Sequence, residues 1–98
     1  MNLRIHRLAV EEIDHEVDYY ESISPGLGVE LEDEVDAALE MIVSVPEVGA
    51  PWKHRTDRRV FVLSRFPFTL PYQIVRSEIV VLAFAHTRKR PGYWARRR

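Results

Sequence analysis

Ninety-eight residues without a cysteine make one domain, large enough to remove roughly two-thirds of the unfolded chain's surface from water and to fold without disulfides or thiolate-bound metal. The first fifty residues hold thirteen acids and two bases and the last forty-eight hold two acids and twelve bases, so a net charge of −1 conceals halves of −11 and +10. The stretch Met1 to Arg7 lacks the apolar core of a signal peptide and no apolar run is long enough to span a bilayer, so neither secretion nor membrane insertion is expected and the cytoplasm is the expected compartment.

Leu3 and Ile5 alternate with Arg4 and His6, a period-two pattern that predicts a short first strand. Such a strand is unstable alone and has to pair along an edge of strands that come much later. From Leu8 the period lengthens. Val10, Ile13, Val17 and Tyr20 mark one face of an amphipathic helix, and Glu11, Glu12, Asp14, Glu16, Asp18 and Glu21 fill the other. No Ser, Thr, Asp or Asn precedes it as a cap, while Glu11 and Glu12 suit the positive end of its dipole. Ser22-Ile23-Ser24-Pro25-Gly26 breaks the pattern. A second helix starts near Leu27 or Val29, carries Leu31, Val35, Ala38, Leu39 and Ile42 on its apolar stripe, and ends before Pro46. The two make an αα-hairpin whose stripe must be buried on a sheet.

Pro46 to Asp57 has no period and reads as a loop, with Trp52 as its anchor. Three β-branched and aromatic runs follow, Val60–Leu63, Phe68–Val75 and Ile79–Ala85, a three-stranded antiparallel meander. The unbroken apolar run Val80–Ala85 predicts a central strand covered on both faces. Pro71 cannot donate to a ladder and predicts an edge or, preferably, a bulge in the second run. The fold class is therefore α+β: an N-terminal strand, an αα-hairpin and the meander, joined in one antiparallel sheet of about four strands with the helices on one face.

Beyond the last strand the chain turns basic, His86-Thr87-Arg88-Lys89-Arg90, and closes with Pro91-Gly92-Tyr93-Trp94. Metal-free RNA cleavage needs a proton acceptor, a proton donor and cations for the developing phosphorane charge. His86, Arg65 and Arg59 are the candidate catalytic residues of that type. Arg88, Arg90, Tyr93 and Trp94 are the candidates for binding nucleic acid or a protein target, through phosphate contacts and stacking. Arg58 is expected to pair with the acidic helices, and a tryptophan after Pro-Gly more often folds back onto the core than stacks on a ligand. No metal or cofactor site is expected.

The order and spacing of Tyr20-Glu21, Ser24-Pro25-Gly26-Leu27-Gly28, Pro46, Arg65-Phe66-Pro67-Phe68, Tyr72, Val81-Leu82-Ala83, His86, Arg88, Arg90-Pro91 and Trp94 resemble the RelE/ParE superfamily over essentially the whole chain. The resemblance implies the toxin of a type II toxin-antitoxin module, or plasmid stabilisation protein, held inactive by a cognate antitoxin that wraps the helices and sheet. Its targets divide in two. RelE-like members cleave messenger RNA on the ribosome, and ParE-like members poison DNA gyrase. Where the ribonuclease branch commonly carries an arginine at the start of the second meander strand, this chain has Thr69. The expectation is accordingly a ParE-like gyrase poison, with the ribosome-dependent endonuclease as the alternative.

Overall fold

A computed structural model describes residues 1–98. The elements run β1 (Asn2–Ile5), α1 (Arg7–Ile23), α2 (Leu27–Ser44), β2 (Ala50–Pro51), β3 (Arg58–Val62), β4 (Phe68–Val75), β5 (Glu78–Val81) and β6 (Ala85–His86). They form one sheet in the order β1-β5-β4-β3-β2, and β6 continues beside β4 beyond the end of β5. All pairings are antiparallel except β1 with β5, which are parallel in the register Leu3↔Ile79 and Ile5↔Val81. The sheet is thus mixed and has six strands, two of them of two residues, where about four antiparallel strands were expected. The first strand pairs with the edge of the meander, as its alternation required, but runs alongside β5 rather than against it.

The helices form where the apolar period places them. Helix α1 is capped after all: His6 Nδ1 accepts from the Leu8 N–H at 3.1 Å, a role no Ser, Thr, Asp or Asn was present to take. Ala9 lies fully buried, whereas Val10, assigned to the apolar face, is exposed. The Ser24-Pro25-Gly26 turn is held from α1 by Glu21, whose carboxylate accepts from the Gly26 N–H at 2.9 Å and the Gly28 N–H at 3.0 Å. Gly26 has φ +92°, and a Cβ on Gly28 would stand 2.7 Å from the Val17 carbonyl. The two helices therefore touch backbone to backbone at Gly28. Gly28→Ala must push them apart, and denaturant titration should show a loss of about 1–3 kcal/mol, the usual cost of overpacking.

The main core lies between the helices and one face of the sheet, with Leu31, Val35, Ala38 and Ile42 against Phe68, Leu70, Tyr72, Ile79, Val81 and Phe84. The buried Tyr72 hydroxyl donates to the Pro46 carbonyl at 2.6 Å and accepts from the Gly49 N–H at 2.9 Å, which fixes the loop after α2 to the sheet. A second, smaller cluster covers the opposite face: Val80, Leu82, Ala83, Ala85 and Trp94, with Trp52, Val60 and Tyr93 packed on it. Both faces of the Val80–Ala85 run are buried, as its unbroken apolar character implied. The run is nevertheless not one strand. Tyr72 pairs with Val81 and Thr69 with Ala85, so Leu70 and Pro71 face three residues, Leu82 to Phe84. The irregularity expected at Pro71 is present, but the extra residue sits on the facing strand, and β4 itself runs unbroken through the centre of the sheet.

Candidate functional site

The basic turn after β6 is built by the backbone. Phe68 pairs with His86, Thr87 N–H donates to the Pro67 carbonyl at 2.9 Å, and Lys89 N–H donates to the His86 carbonyl at 3.0 Å. His86 Nδ1 accepts from the Arg88 N–H at 3.0 Å, and its ring stands edge-on to Phe68 at 5.2 Å, which leaves Nε2 as the free ring nitrogen. His86 divides two clefts. One, of about 210 Å³, lies towards α1 and includes Glu12, His15, Lys89 and Arg97. The other, of about 270 Å³, lies on the far face of the sheet and includes Trp52, Thr69, Lys89 and Arg90.

Of the three candidate catalytic residues, only His86 is there. Arg59 donates to the Glu47 and Gly49 carbonyls at 3.0 and 2.8 Å, so its guanidinium ties the loop before β2 to the sheet. Arg65 sits in the β3–β4 connection and meets Glu30 of α2 at 2.6 Å, while its N–H and that of Ser64 donate to Glu34. The hydrogen bond and charge of Glu30 raise the Arg65 pKa. Neither arginine lines the clefts beside His86. The binding candidates also divide. Arg88 and Arg90 are exposed and form no ion pair, whereas Trp94 is only 4% exposed, with its ring 4.7 Å from that of Trp52. Trp94 is a core residue and presents no stacking face. Tyr93 is half-buried, with Lys89 and Arg97 both over its ring at 4.9 and 5.2 Å.

The tail is docked, as the expectation that a tryptophan after Pro-Gly folds back onto the core implied. Tyr93, Ala95 and Arg97 N–H groups donate to the Arg90, Gly92 and Trp94 carbonyls, forming tight turns. Gly92, at φ +79°, lets the backbone lie against Trp52, where a Cβ would come within 3.1 Å of Cζ2. Arg58, only 3% exposed, donates to the Ala95 and Arg97 carbonyls at 2.6 and 3.2 Å and to Gln73 Oε1 at 3.1 Å. It serves the tail and not the acidic helices. On the other side Glu12, assigned above to a solvated face, receives hydrogen bonds from Arg97, the Phe84 N–H and the Tyr93 hydroxyl. Burial pushes the Glu12 carboxyl up, but these three donors outweigh it and hold its pKa below the ordinary value. Burial and then the neighbouring Glu12 carboxylate push the Tyr93 hydroxyl well up.

The sign of the Glu12 shift sets a pH dependence. A carboxylate whose folded pKa is depressed adds stability that is complete above its unfolded value and is lost as pH falls through the folded one. The stability advantage of the native chain over Glu12→Gln should therefore be constant at neutral pH, shrink as pH falls below 4.5, and disappear once Glu12 is protonated in the folded state. Urea titrations of the two chains between neutral pH and pH 3 measure it.

No group of three or more His, Asp or Glu side chains is placed to hold a metal ion, and no helix is long and apolar enough to cross a membrane. The mixed sheet with an αα-hairpin on one face and a basic turn at the end of the meander fits the resemblance to the small toxins of the RelE/ParE superfamily. The model of the family described as the ParE toxin of the type II toxin-antitoxin system parDE matches residues 3–91, and the chain belongs to that family. Its structure is similar to one described as a chromosomal ParDE toxin-antitoxin system from P. aeruginosa, with a TM-score of 0.75 and 24% identity over 88% of this chain and 95% of that one. No curated protein matches the sequence. The family match ends at residue 91, so the docked turn from Gly92 onward lies outside it.

Proposed function

We propose that this ParE-family toxin arrests growth by acting on DNA gyrase in the cytoplasm without cleaving RNA, and that a cognate antitoxin neutralises it. One observation carries the choice of target: Arg59 and Arg65 are engaged by loop carbonyls and by Glu30 and do not line the clefts beside His86, and Thr69 stands where the ribonuclease branch commonly has arginine. With its Nδ1 lone pair taken by the Arg88 N–H, His86 would offer a leaving oxygen a proton donor at Nε2, but no arginine fork converges on it from the sheet. The exposed cations Arg88 and Arg90, with Lys89 beside them, form a projecting basic turn suited to an acidic protein or DNA-bearing surface. His86, lining a cleft that also holds Lys89 and Arg90, is what favours the alternative, a ribosome-dependent endonuclease.

The antitoxin reading is supported by a second surface. Met41, Phe61, Val62 and Ala37 line a groove of about 230 Å³ between α2 and β3, and Val62 is 63% exposed. The acids Asp33, Asp36 and Glu40 on the same helix have no cationic partner within the chain. A basic amphipathic segment complements that surface in both charge and hydropathy.

Pulse labelling after induction of this chain without an antitoxin separates the targets. The expected result is an early stop of DNA synthesis with a damage response. An earlier stop of protein synthesis would transfer the assignment to RNA cleavage, and unchanged synthesis of both would remove the toxic role.

A further inference from the structure

Pro71 leaves a hole in the centre of the sheet. Leu82 N–H donates to the Pro71 carbonyl at 2.8 Å, but Pro71 has no N–H to return the bond, so the Leu82 carbonyl lacks its ladder partner. The extra residue facing Leu70 and Pro71 also throws the Phe84 N–H out of the ladder. Two residues outside the sheet satisfy these orphaned groups. Glu12 Oε1 of α1 accepts from the Phe84 N–H at 3.0 Å, and Arg97 of the tail donates to the Leu82 carbonyl at 3.0 Å. The same two side chains join through both carboxylate oxygens at 2.9 and 3.1 Å, and the Tyr93 hydroxyl adds a third bond to Glu12 at 2.9 Å.

This pair differs in kind from the other ion pairs of the molecule. The Arg97 and Glu12 side chains are 15% and 21% exposed, against 76% and 61% for Arg7 and Glu11. Exposed pairs are weak because water competes for both partners, whereas here each partner is also fixed by a backbone group with no alternative nearby. The bonds span eighty-five residues of sequence and reach the tail from the side opposite Arg58.

We propose that Glu12 and Arg97 form a latch, a pair of positioning residues that keeps the Gly92–Arg97 turn docked and thereby holds the Arg88–Arg90 turn rigid between two anchors, β6 on one side and the docked turn on the other. With the pair broken, the tail leaves the sheet while the helices and meander stay folded. The link to toxicity rests on the reading above, in which the basic turn meets the target.

Amide hydrogen exchange tests the latch without reference to any target. In Arg97→Ala and Glu12→Gln the exchange of the Ala95 and Arg97-position amides should accelerate at least about tenfold more than that of Leu31 and Val35 in α2, the pattern of local opening. Arg97→Lys should fall between, because one ammonium cannot match a fork that reaches both carboxylate oxygens and the Leu82 carbonyl. Unchanged tail exchange overturns the latch. So does uniform acceleration of all amides, both in these variants and in the milder Tyr93→Phe, because the pair would then hold the whole fold and not the tail. Induction of the same variants supplies the second arm, with loss of growth inhibition at matched chain levels expected. Faster tail exchange with undiminished growth inhibition would keep the latch and overturn the reading of the basic turn as the target contact.

Discussion

Phe68→Ala is expected to lower the unfolding free energy by about 3–5 kcal/mol, the range for truncating a fully buried aromatic. Phe68 has no exposed surface, stacks on Phe84 with ring centroids 4.4 Å apart, meets Tyr20 of α1 at 6.1 Å edge-on, and supports the His86 ring. It is the residue through which the helix layer, the interrupted strand and the basic turn touch one another. A domain of this size has roughly 5–15 kcal/mol in all, so the variant should be only marginally folded. Thermal and urea unfolding followed by circular dichroism measure this, and a loss below about 1 kcal/mol would contradict the packing described, given the usual range for such truncations.

Arg58→Ala should have the next largest effect, about 2–4 kcal/mol, from the loss of charge-assisted hydrogen bonds and buried volume together. The guanidinium is buried and has three acceptors but no carboxylate bonded to it, and burial, then the neighbouring Arg55, lowers its pKa. Burying a charge in this way is costly, so what the side chain contributes must come from the bonds it makes to the tail carbonyls. Arg58→Met separates the two contributions. It fills the volume without donors, so the core should survive while Trp94 becomes exposed to solvent, which a red-shifted tryptophan emission would show. An unshifted emission in Arg58→Met would mean that the tail is held without Arg58.

How far the sequence foretold this molecule varies from element to element, for physical reasons. The second meander strand was legible to the residue, Phe68–Val75, because its β-branched and aromatic run is bounded by Pro67 and by the Arg76-Ser77 turn. The αα-hairpin was equally plain from its period. The parallel pairing of β1 was not, since alternation reports a strand but not the direction of its neighbour. The break after Val81 was hidden by an apolar run that continues across it, and only Pro71, one strand away, signalled trouble in the ladder. Glu12 was the most informative residue missed. Its position among Glu11, Asp14 and Glu16 marks it as one more charge on a wet face, and nothing local shows that Arg97 and the Phe84 N–H will come to it. The two arginines proposed for catalysis were chosen by type, and type could not reveal that carbonyls of the loop before β2 and a glutamate of α2 had prior claim on them. His86 ends the meander and lines both clefts, because strand ends project side chains beyond a sheet.

Whether this chain acts on gyrase or on RNA is decided most directly with the purified protein. Incubated with DNA gyrase and relaxed plasmid, it is predicted to block supercoiling or trap cleaved DNA on the enzyme, and to leave messenger RNA intact on translating ribosomes. Messenger RNA cut on the ribosome at a toxin concentration that leaves supercoiling unchanged would contradict the account and place the chemistry at His86.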